Sequence, residues 1–151
     1  MRYKNLGTGD ICILDKDSVK LGLQTCVGTI LYGNNKVGVA HGLIPSDIGS
    51  GYANKLDIVP VGVEHLIRQM ERYNPINSIN AILVGGKIEA SNIGIQNSQQ
   101  AREILKKLQI PIKMDFTKNN YWDTELMVHP NKFEINAVGF PSKYTKNFEE
   151  L

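Results

Sequence analysis

A cysteine and a histidine lie at the ends of two short apolar segments. Cys26 comes directly before Val27–Tyr32, and His41 closes the segment Val37–His41. A free thiol has a pKa of about 8.5, so little of it is the reactive thiolate at neutral pH. An adjacent imidazole can take the thiol proton and activate the sulfur as a nucleophile. These two residue types therefore predict cysteine-hydrolase chemistry if the fold brings them together.

The residues Gly33-Asn34-Asn35-Lys36, which separate the two segments, are typical of a β-hairpin turn. If the first two form the loop, Cys26 lies directly opposite His41. If the middle two form it, Cys26 lies opposite Leu43 and diagonally across from His41. Both registers place the Cys26 and His41 side chains on one face, roughly 4.5–8 Å apart between Cβ atoms, whereas a three-residue loop would separate them. The hairpin thus predicts a Cys–His pair and leaves the register open.

The composition indicates one globular domain, residues 1–151. We expect its core over about 5–138 and a polar, loosely held C-terminal tail at 142–151. The net charge of +2 is too small to indicate nucleic-acid binding. Two cysteines without metal-ligand spacing and three scattered histidines give no reason to expect a metal or a cofactor. Because no segment looks like a signal peptide or a membrane span, we expect a cytoplasmic protein without membrane insertion.

Periodicity and turn residues predict the element order strands, helix, strand, helix, strands. The first helix, at about 58–73, has one apolar face with i, i+3, i+4 spacing. The second begins at Asn92, a good N-cap, and reaches Leu108. This order predicts an α+β fold, a layered sandwich of mixed β-sheets flanked by helices. The loop at 45–51 leaves the His41 strand and is expected to border a site. The predicted strands are 11–14, 19–23, 26–32, 37–43, 80–84, 110–114, 126–128 and 133–138.

The other cysteine, the other histidines and the Gly-Gly pair are each predicted to have a structural role. Cys12 lies in the middle of a strand with no histidine near it in sequence, which is typical of a buried inert thiol. His65 falls on the solvent side of the first helix, and His129 precedes a proline in a turn. No nucleotide-binding fingerprint follows Gly85-Gly86, so we expect a tight turn or a close backbone approach there.

Six short segments form a recognisable series along the chain. They are Leu6-Gly7-Thr8-Gly9-Asp10, Leu21-Gly22-Leu23-Gln24-Thr25-Cys26-Val27, Val39-Ala40-His41-Gly42-Leu43-Ile44-Pro45, Gly51-Tyr52-Ala53-Asn54, Val84-Gly85-Gly86 and Asn92-Ile93-Gly94-Ile95-Gln96-Asn97. In their order and spacing these segments resemble the CheD family of chemoreceptor glutamine deamidases, and the resemblance extends over about residues 5–138.

The resemblance implies a fold shared with cysteine deamidase toxins. It also implies an enzyme that converts selected glutamines of chemoreceptors to glutamate and ammonia. By position, Cys26 is implied to be the nucleophile and His41 the general base. The implied substrate is the chemoreceptor cytoplasmic domain. The resemblance also implies a CheC-type phosphatase as a partner. Binding to this phosphatase would couple deamidation to adaptation in chemotaxis.

Some positions depart from the family pattern. The family's third catalytic residue, a threonine, falls on Lys20, whose ammonium cannot accept a hydrogen bond from imidazole. Its backbone carbonyl still can. Gln24-Thr25 replaces a usual Gly-Ser before the cysteine, Lys87 stands where a small residue is common, and Gln96 replaces a usual arginine.

Two other functions remain open beside the chemoreceptor glutamine deamidase. The first is a CheD-like binding module that has lost efficient chemistry and docks to a CheC-type phosphatase or a receptor, which the lysine at position 20 favours. The second is a cysteine deamidase of the same fold that acts on another protein outside chemotaxis. The leading prediction is a protein-glutamine glutaminase with a cysteine nucleophile.

Overall fold

The computed structural model describes residues 3–42, 59–86, 92–117, 122–138 and 142–151. Within these ranges the chain forms ten strands, two α-helices and two short 3-10 helices. The 3-10 helices are Ile76–Ser78 and Phe148–Glu150. The α-helices are α1 (Val59–Met70) and α2 (Asn92–Lys107). The strands are β1 (Tyr3–Asn5), β2 (Ile11–Leu14), β3 (Ser18–Leu23), β4 (Val27–Tyr32), β5 (Val37–Gly42), β6 (Asn80–Gly85), β7 (Ile112–Asp115), β8 (Trp122–Val128), β9 (Lys132–Val138) and β10 (Tyr144–Asn147).

The strands form two five-stranded sheets. The first sheet has the order β1-β3-β8-β9-β10, and the second has the order β2-β5-β4-β6-β7. In each sheet one edge pair is parallel, β1 with β3 and β6 with β7, and the other neighbours are antiparallel. Both helices pack against strands of the second sheet. The prediction of an α+β sandwich of mixed sheets flanked by helices is confirmed.

Alternation along the strands divides the apolar core into two layers. In β4, Ile30 packs into the layer between the two sheets, whereas Leu31 packs into the layer beneath the helices. In β5 the inter-sheet layer takes Val37 and Val39, and His41 is the next residue on that face. The histidine therefore lies where the core between the sheets ends.

The β4–β5 hairpin adopts the second of the two predicted registers. Tyr32 pairs with Val37 and Gly28 pairs with His41, while the Gly33 N–H donates to the Lys36 carbonyl at 3.2 Å. The loop is therefore the middle two residues, Asn34-Asn35. In this register Cys26, one residue before the strand, continues the face on which His41 lies.

Helix α1 confirms its predicted buried face but is shorter than predicted. Val63, Leu66, Ile67 and Met70 are all buried. The helix ends at Met70, and beyond it the N–H groups of Arg72 and Tyr73 donate to carbonyls three residues earlier, as in a turn. The predicted loop at 45–51 and the departure at Lys87 lie outside the described residues.

The last ten residues are part of the fold, so the prediction of a loosely held tail is wrong. β10 pairs with β9 in antiparallel register. Phe148 is only 9% exposed and stacks on Tyr32, with 5.1 Å between ring centroids. Tyr144 also packs against the inter-sheet core. Both aromatic residues lie in a largely polar segment, and the polar average of the segment concealed them.

His129 is buried, although it lies at a turn as expected. Its Nδ1 is 2.7 Å from Ser18 Oγ, and its Nε2 is 3.4 Å from Glu134 Oε2. The ring meets Tyr3 edge to face. These contacts join β1, β3, β8 and β9 at the end of the first sheet away from Cys26.

Candidate active site

Cys26 and His41 both line one cavity of about 430 Å³. It opens at the edge of the layer between the sheets, where β3 and β5 end and β8 begins. This volume lies within the range of small-molecule sites, roughly 300–1,000 Å³. The other lining residues are Thr8, Gly22, Leu23, Gln24, Thr25, Thr124 and Glu125.

His41 is held in one tautomer by the main chain. It is 6% exposed, and its Nδ1 lies 2.8 Å from the carbonyl oxygen of Leu6. A carbonyl can only accept, so Nδ1 carries the proton. In the neutral ring Nε2 then carries the lone pair. This buried Nε2 has no hydrogen-bond partner among the described residues, which leaves it able to accept a proton.

The turn at 7–10 surrounds the backbone of His41. The Gly9 N–H donates to the His41 carbonyl at 2.7 Å, and the His41 N–H donates to the Asp10 carbonyl at 3.1 Å. Asp10 Oδ2 in turn accepts from the Gly7 N–H at 2.9 Å. The histidine is thus fixed at its ring and on both sides of its backbone by one short segment, Leu6 to Asp10.

Burial lowers the pKa of His41 below its ordinary value. The hydrogen bond to Leu6 and the charge of Asp10 act in the opposite direction, and desolvation outweighs them. At neutral pH the imidazole is therefore neutral, the state in which it can act as a base.

Cys26 lies in the bend between β3 and β4 with its side chain partly exposed. Its Sγ is 3.9 Å from the Thr8 hydroxyl oxygen, within hydrogen-bond range for sulfur. The residue also packs against the end of the inter-sheet core. The thiol thus lies at the boundary between the apolar core and the open cavity.

Gly85-Gly86 forms the close backbone approach that was predicted for it. Both residues have positive φ, +96° and +68°. The Gly86 N–H donates to the Cys26 carbonyl at 2.9 Å, and a Cβ on Gly85 would overlap the same oxygen. Glycine is needed here because any side chain would displace the backbone of Cys26.

Lys20 lies on β3 with its ammonium 3.2 Å from Glu125, and both side chains are about 40% exposed. Lys20 does not line the cavity, although Glu125 does. The Lys20 carbonyl accepts from the Leu6 N–H at 2.9 Å. Lys20 is therefore one hydrogen bond removed from the Leu6 carbonyl that holds His41.

Other titratable residues lie away from the cavity. Cys12 is partly buried, and burial raises the pKa of its thiol. His65 is exposed on α1. No three His, Cys, Asp or Glu side chains come close enough to hold a metal ion within the ranges that the structure describes.

Sequence reasoning assigned no role to Leu6, Thr8, Asp10 or Asn97. Asn97 is buried and donates from Nδ2 to the Thr25 carbonyl at 2.7 Å. All four residues lie in segments that carried the resemblance, so a signal was present. The resemblance did not show which atoms form the hydrogen bonds of the site, because two of the acceptors, the Leu6 and Thr25 carbonyls, belong to the main chain.

Comparison with known proteins gives consistent relatives, although no protein-family model matches. The chain is 34% identical over 137 residues, 82% of this chain and 85% of the relative, to a probable chemoreceptor glutamine deamidase CheD of Caldanaerobacter subterraneus. It is 33% identical over 130 residues (79% and 81%) to a probable chemoreceptor glutamine deamidase CheD 1 of Methanosarcina acetivorans. A probable chemoreceptor glutamine deamidase CheD of Methanosarcina barkeri is 32% identical over 124 residues (75% and 82%).

None of the helices within the described ranges has the length and apolar character needed to cross a membrane. The relatives match over about four fifths of their own length, and the fold contains the mixed sheets that the resemblance implies. At this identity and coverage, the chain belongs to the CheD family of chemoreceptor glutamine deamidases.

Proposed function

We propose that this chain hydrolyses the side-chain amide of glutamines on the cytoplasmic domain of chemoreceptors, with Cys26 as nucleophile and His41 as general base. The tautomer of His41 carries the proposal. Because Nδ1–H donates to the Leu6 carbonyl, Nε2 keeps its lone pair, and His41 lines the same cavity as Cys26.

The proposed reaction has two stages. His41 Nε2 takes the Cys26 proton, and the thiolate attacks the glutamine amide carbon to form a tetrahedral oxyanion. The C–N bond then breaks, the imidazolium gives its proton to the departing ammonia, and a thioester to Cys26 remains. Water, deprotonated by His41, hydrolyses the thioester and regenerates the thiol. The balance is glutamine plus water to glutamate plus ammonia.

The oxyanion needs hydrogen-bond donors aimed at it, each worth roughly 10²–10³ in rate. We propose the backbone N–H of Cys26 as one of them. Its direction is set by the peptide that joins Cys26 to Thr25, whose carbonyl is bound by Asn97.

Lys20 is proposed to act through its backbone. A side-chain acceptor at this position would orient the histidine directly, whereas here the Leu6 carbonyl already does so, and the Lys20 carbonyl holds Leu6. This supports activity despite the lysine and weakens the case for an inactive binding module. The cytoplasm, where the receptor's signalling domain lies, is the proposed location, and a CheC-type phosphatase is a proposed partner.

The test is intact-mass analysis of a chemoreceptor cytoplasmic domain after incubation with the protein. Conversion of an amide to an acid adds about one dalton per glutamine, and we expect this gain with wild type. Cys26→Ala should abolish it and still fold, because only a partly exposed thiol is removed. Cys12→Ala is the matched control, since it removes the other free cysteine, which lies outside the cavity.

Three results would contradict the proposal. A mass gain that persists in Cys26→Ala would exclude this nucleophile. No gain with wild type, together with alkylation of Cys26 by iodoacetamide at the rate of an ordinary thiol, would favour the binding module. An activated Cys26 that leaves the receptor unchanged would instead point to a different protein substrate.

A further inference from the structure

Asn97 has a buried side-chain amide in the interior of a helix, a position that is unfavourable for asparagine unless the amide is hydrogen-bonded. It is 0% exposed on α2. Asparagine in a helix interior is less favourable than alanine by about 0.5 kcal/mol, and burial adds a cost unless its polar atoms are bonded. Its Nδ2 donates to the carbonyl of Thr25, 72 residues earlier in the chain, at 2.7 Å. The acceptor belongs to the residue directly before the proposed nucleophile.

The two peptide units that flank Cys26 are therefore held from outside. Asn97 binds the carbonyl on the N-terminal side, and the Gly86 N–H binds the Cys26 carbonyl on the C-terminal side at 2.9 Å. The relative orientation of two adjacent peptide planes defines φ and ψ of the residue between them. Fixing both planes fixes the direction of the Cys26 Cα–Cβ bond, so that the sulfur can occupy only the few positions that its χ1 rotamers allow.

Helix α2 and the glycine turn form one unit behind Cys26. A Cβ on Gly86 would come within 3.0 Å of the Gly94 carbonyl and 3.1 Å of Ser98 Cβ. The absence of a side chain on Gly86 therefore lets α2 approach, which brings Asn97 within reach of Thr25.

The hydrogen bond from Asn97 to the Thr25 carbonyl also affects the N–H group of the same peptide. Because the C=O and N–H of a trans peptide point in opposite directions, it also orients the Cys26 N–H, the proposed oxyanion donor.

From these contacts we infer that Asn97 is a positioning residue for the deamidation reaction, which sets the Cys26 thiol and the Cys26 N–H in their working directions by binding the Thr25 carbonyl. The inference rests on the proposed function. Since Asn97 acts through the peptide, its loss should slow the chemical step more than it weakens substrate binding.

The main test is Asn97→Asp. The carboxylate has the shape of the amide but cannot donate, so it faces the Thr25 carbonyl with a second acceptor. We expect kcat to fall by about 10²-fold, as for a misplacement of catalytic groups by about 1 Å, with KM changed less than about threefold. Asn97→Ala, which removes the donor without adding charge, is the second variant if the first does not fold, and it should lose at least about tenfold in kcat.

The carboxyl group of Asn97→Asp gives the variant a pH-dependent activity, which would not be expected if Asn97 only stabilised the fold. Its protonated form has an O–H that can donate to the Thr25 carbonyl, and burial favours that form. The ratio of Asn97→Asp activity to wild-type activity should therefore rise as pH falls from 8 to about 6, as the carboxyl takes up its proton. Dividing by wild type at each pH removes the titration of His41. The Asn97→Ala ratio should stay flat.

Asn74→Asp is the matched control. Asn74 is also buried, beside the turn of the β4–β5 hairpin. Its Oδ1 accepts from the Asn35 N–H at 3.0 Å, a role that a carboxylate keeps, and its Nδ2 donates to the Met70 carbonyl at 3.4 Å, a bond that a carboxylate loses. It should lower the melting temperature without lowering kcat.

The outcomes separate the inference from the proposed function. If wild type deamidates and Asn97→Asp keeps kcat within about threefold, the inference is overturned and the function stands. If wild type converts no glutamine, the function fails. The inference is then judged by the rate at which iodoacetamide alkylates Cys26. A change confined to Asn97→Asp supports positioning of the thiol, and equal rates in Asn97→Asp, Asn74→Asp and wild type overturn it.

Discussion

Gly85→Ala would place a methyl group where the backbone of the proposed nucleophile now lies. Gly85 has a φ of +96°, and an added Cβ would overlap the Cys26 carbonyl oxygen and come within 3.1 Å of Leu23 Cβ. The obstacle is main chain, so it cannot move away by a change of rotamer. We therefore expect this one methyl group to affect both stability and activity.

The size of the effect follows from two contributions. A left-handed backbone conformation costs an alanine about 1–2 kcal/mol, and overpacking against a fixed neighbour costs about 1–3 kcal/mol. Their sum is about 3 kcal/mol, which for a domain of this size lowers the melting temperature by roughly 6–12 °C. If the chain relieves the overlap by moving the Cys26 carbonyl by about 1 Å, the deamidation rate should fall by about 10².

Thermal unfolding followed by circular dichroism measures the first effect, and the intact-mass assay at a temperature where the variant is folded measures the second. Gly22→Ala is the stability control, because a Cβ at Gly22 meets nothing within 4 Å. The control should stay within about 0.5 kcal/mol of wild type. The reasoning is refuted if Gly85→Ala melts within about 2 °C of Gly22→Ala and deamidates at the wild-type rate, because the overlap would then cost neither stability nor geometry.

Three further predictions concern the base, the lysine and the C-terminal segment. Lys20→Thr should retain or raise activity and lose no more than about 1 kcal/mol, because its exposed pair with Glu125 contributes little; a large drop in rate would give the lysine side chain a role of its own. Asp10→Asn keeps the turn's acceptor but removes a charge that raises the pKa of His41. The acid limb of the kcat/KM profile should therefore move to lower pH than in wild type, and a shift to higher pH would contradict the assignment of His41 as the base. Phe148→Ala should cost about 3–5 kcal/mol in chemical denaturation, whereas a loose tail would give no change.

The lowered pKa of His41 should also make the protein less stable as the pH falls. The pKa of His41 is lower in the folded state than in the unfolded chain. The unfolded state therefore binds more protons between the two values. The contribution of His41 to stability is fully present above its unfolded pKa, about 6.5, and is lost as pH falls through the folded pKa. Replacing His41 with glutamine should flatten the pH dependence of the denaturation midpoint between about pH 7.5 and 5.5.

The parts of the site that depend on local sequence were predictable. The turn residues between β4 and β5 favoured a two-residue loop, and both registers of such a loop place Cys26 and His41 on one face. The buried face of α1 followed from apolar spacing in the same way, because side-chain periodicity reports directly which side of an element meets the core.

The remaining parts depend on contacts that have no local signal. The Leu6 carbonyl meets His41 across 35 residues, and any residue type has such a carbonyl. The Asn97 amide meets Thr25 across 72 residues, and nothing near Asn97 in sequence indicates its partner. The C-terminal strand escaped prediction for a different reason. Tyr144 and Phe148 of this segment pack against the inter-sheet core, and an average over a largely polar segment hides them.

On the proposed mechanism, the wide separation of these contacts along the chain makes the activation of Cys26 depend on the assembled fold. The base comes into place only when β5 meets the Leu6 segment, and the peptide before Cys26 is held only when α2 reaches the bend before β4. A partly unfolded chain would therefore lack an activated thiol. Reactivity and native structure would then be gained and lost together, so the alkylation rate of Cys26 reports on the integrity of the whole fold.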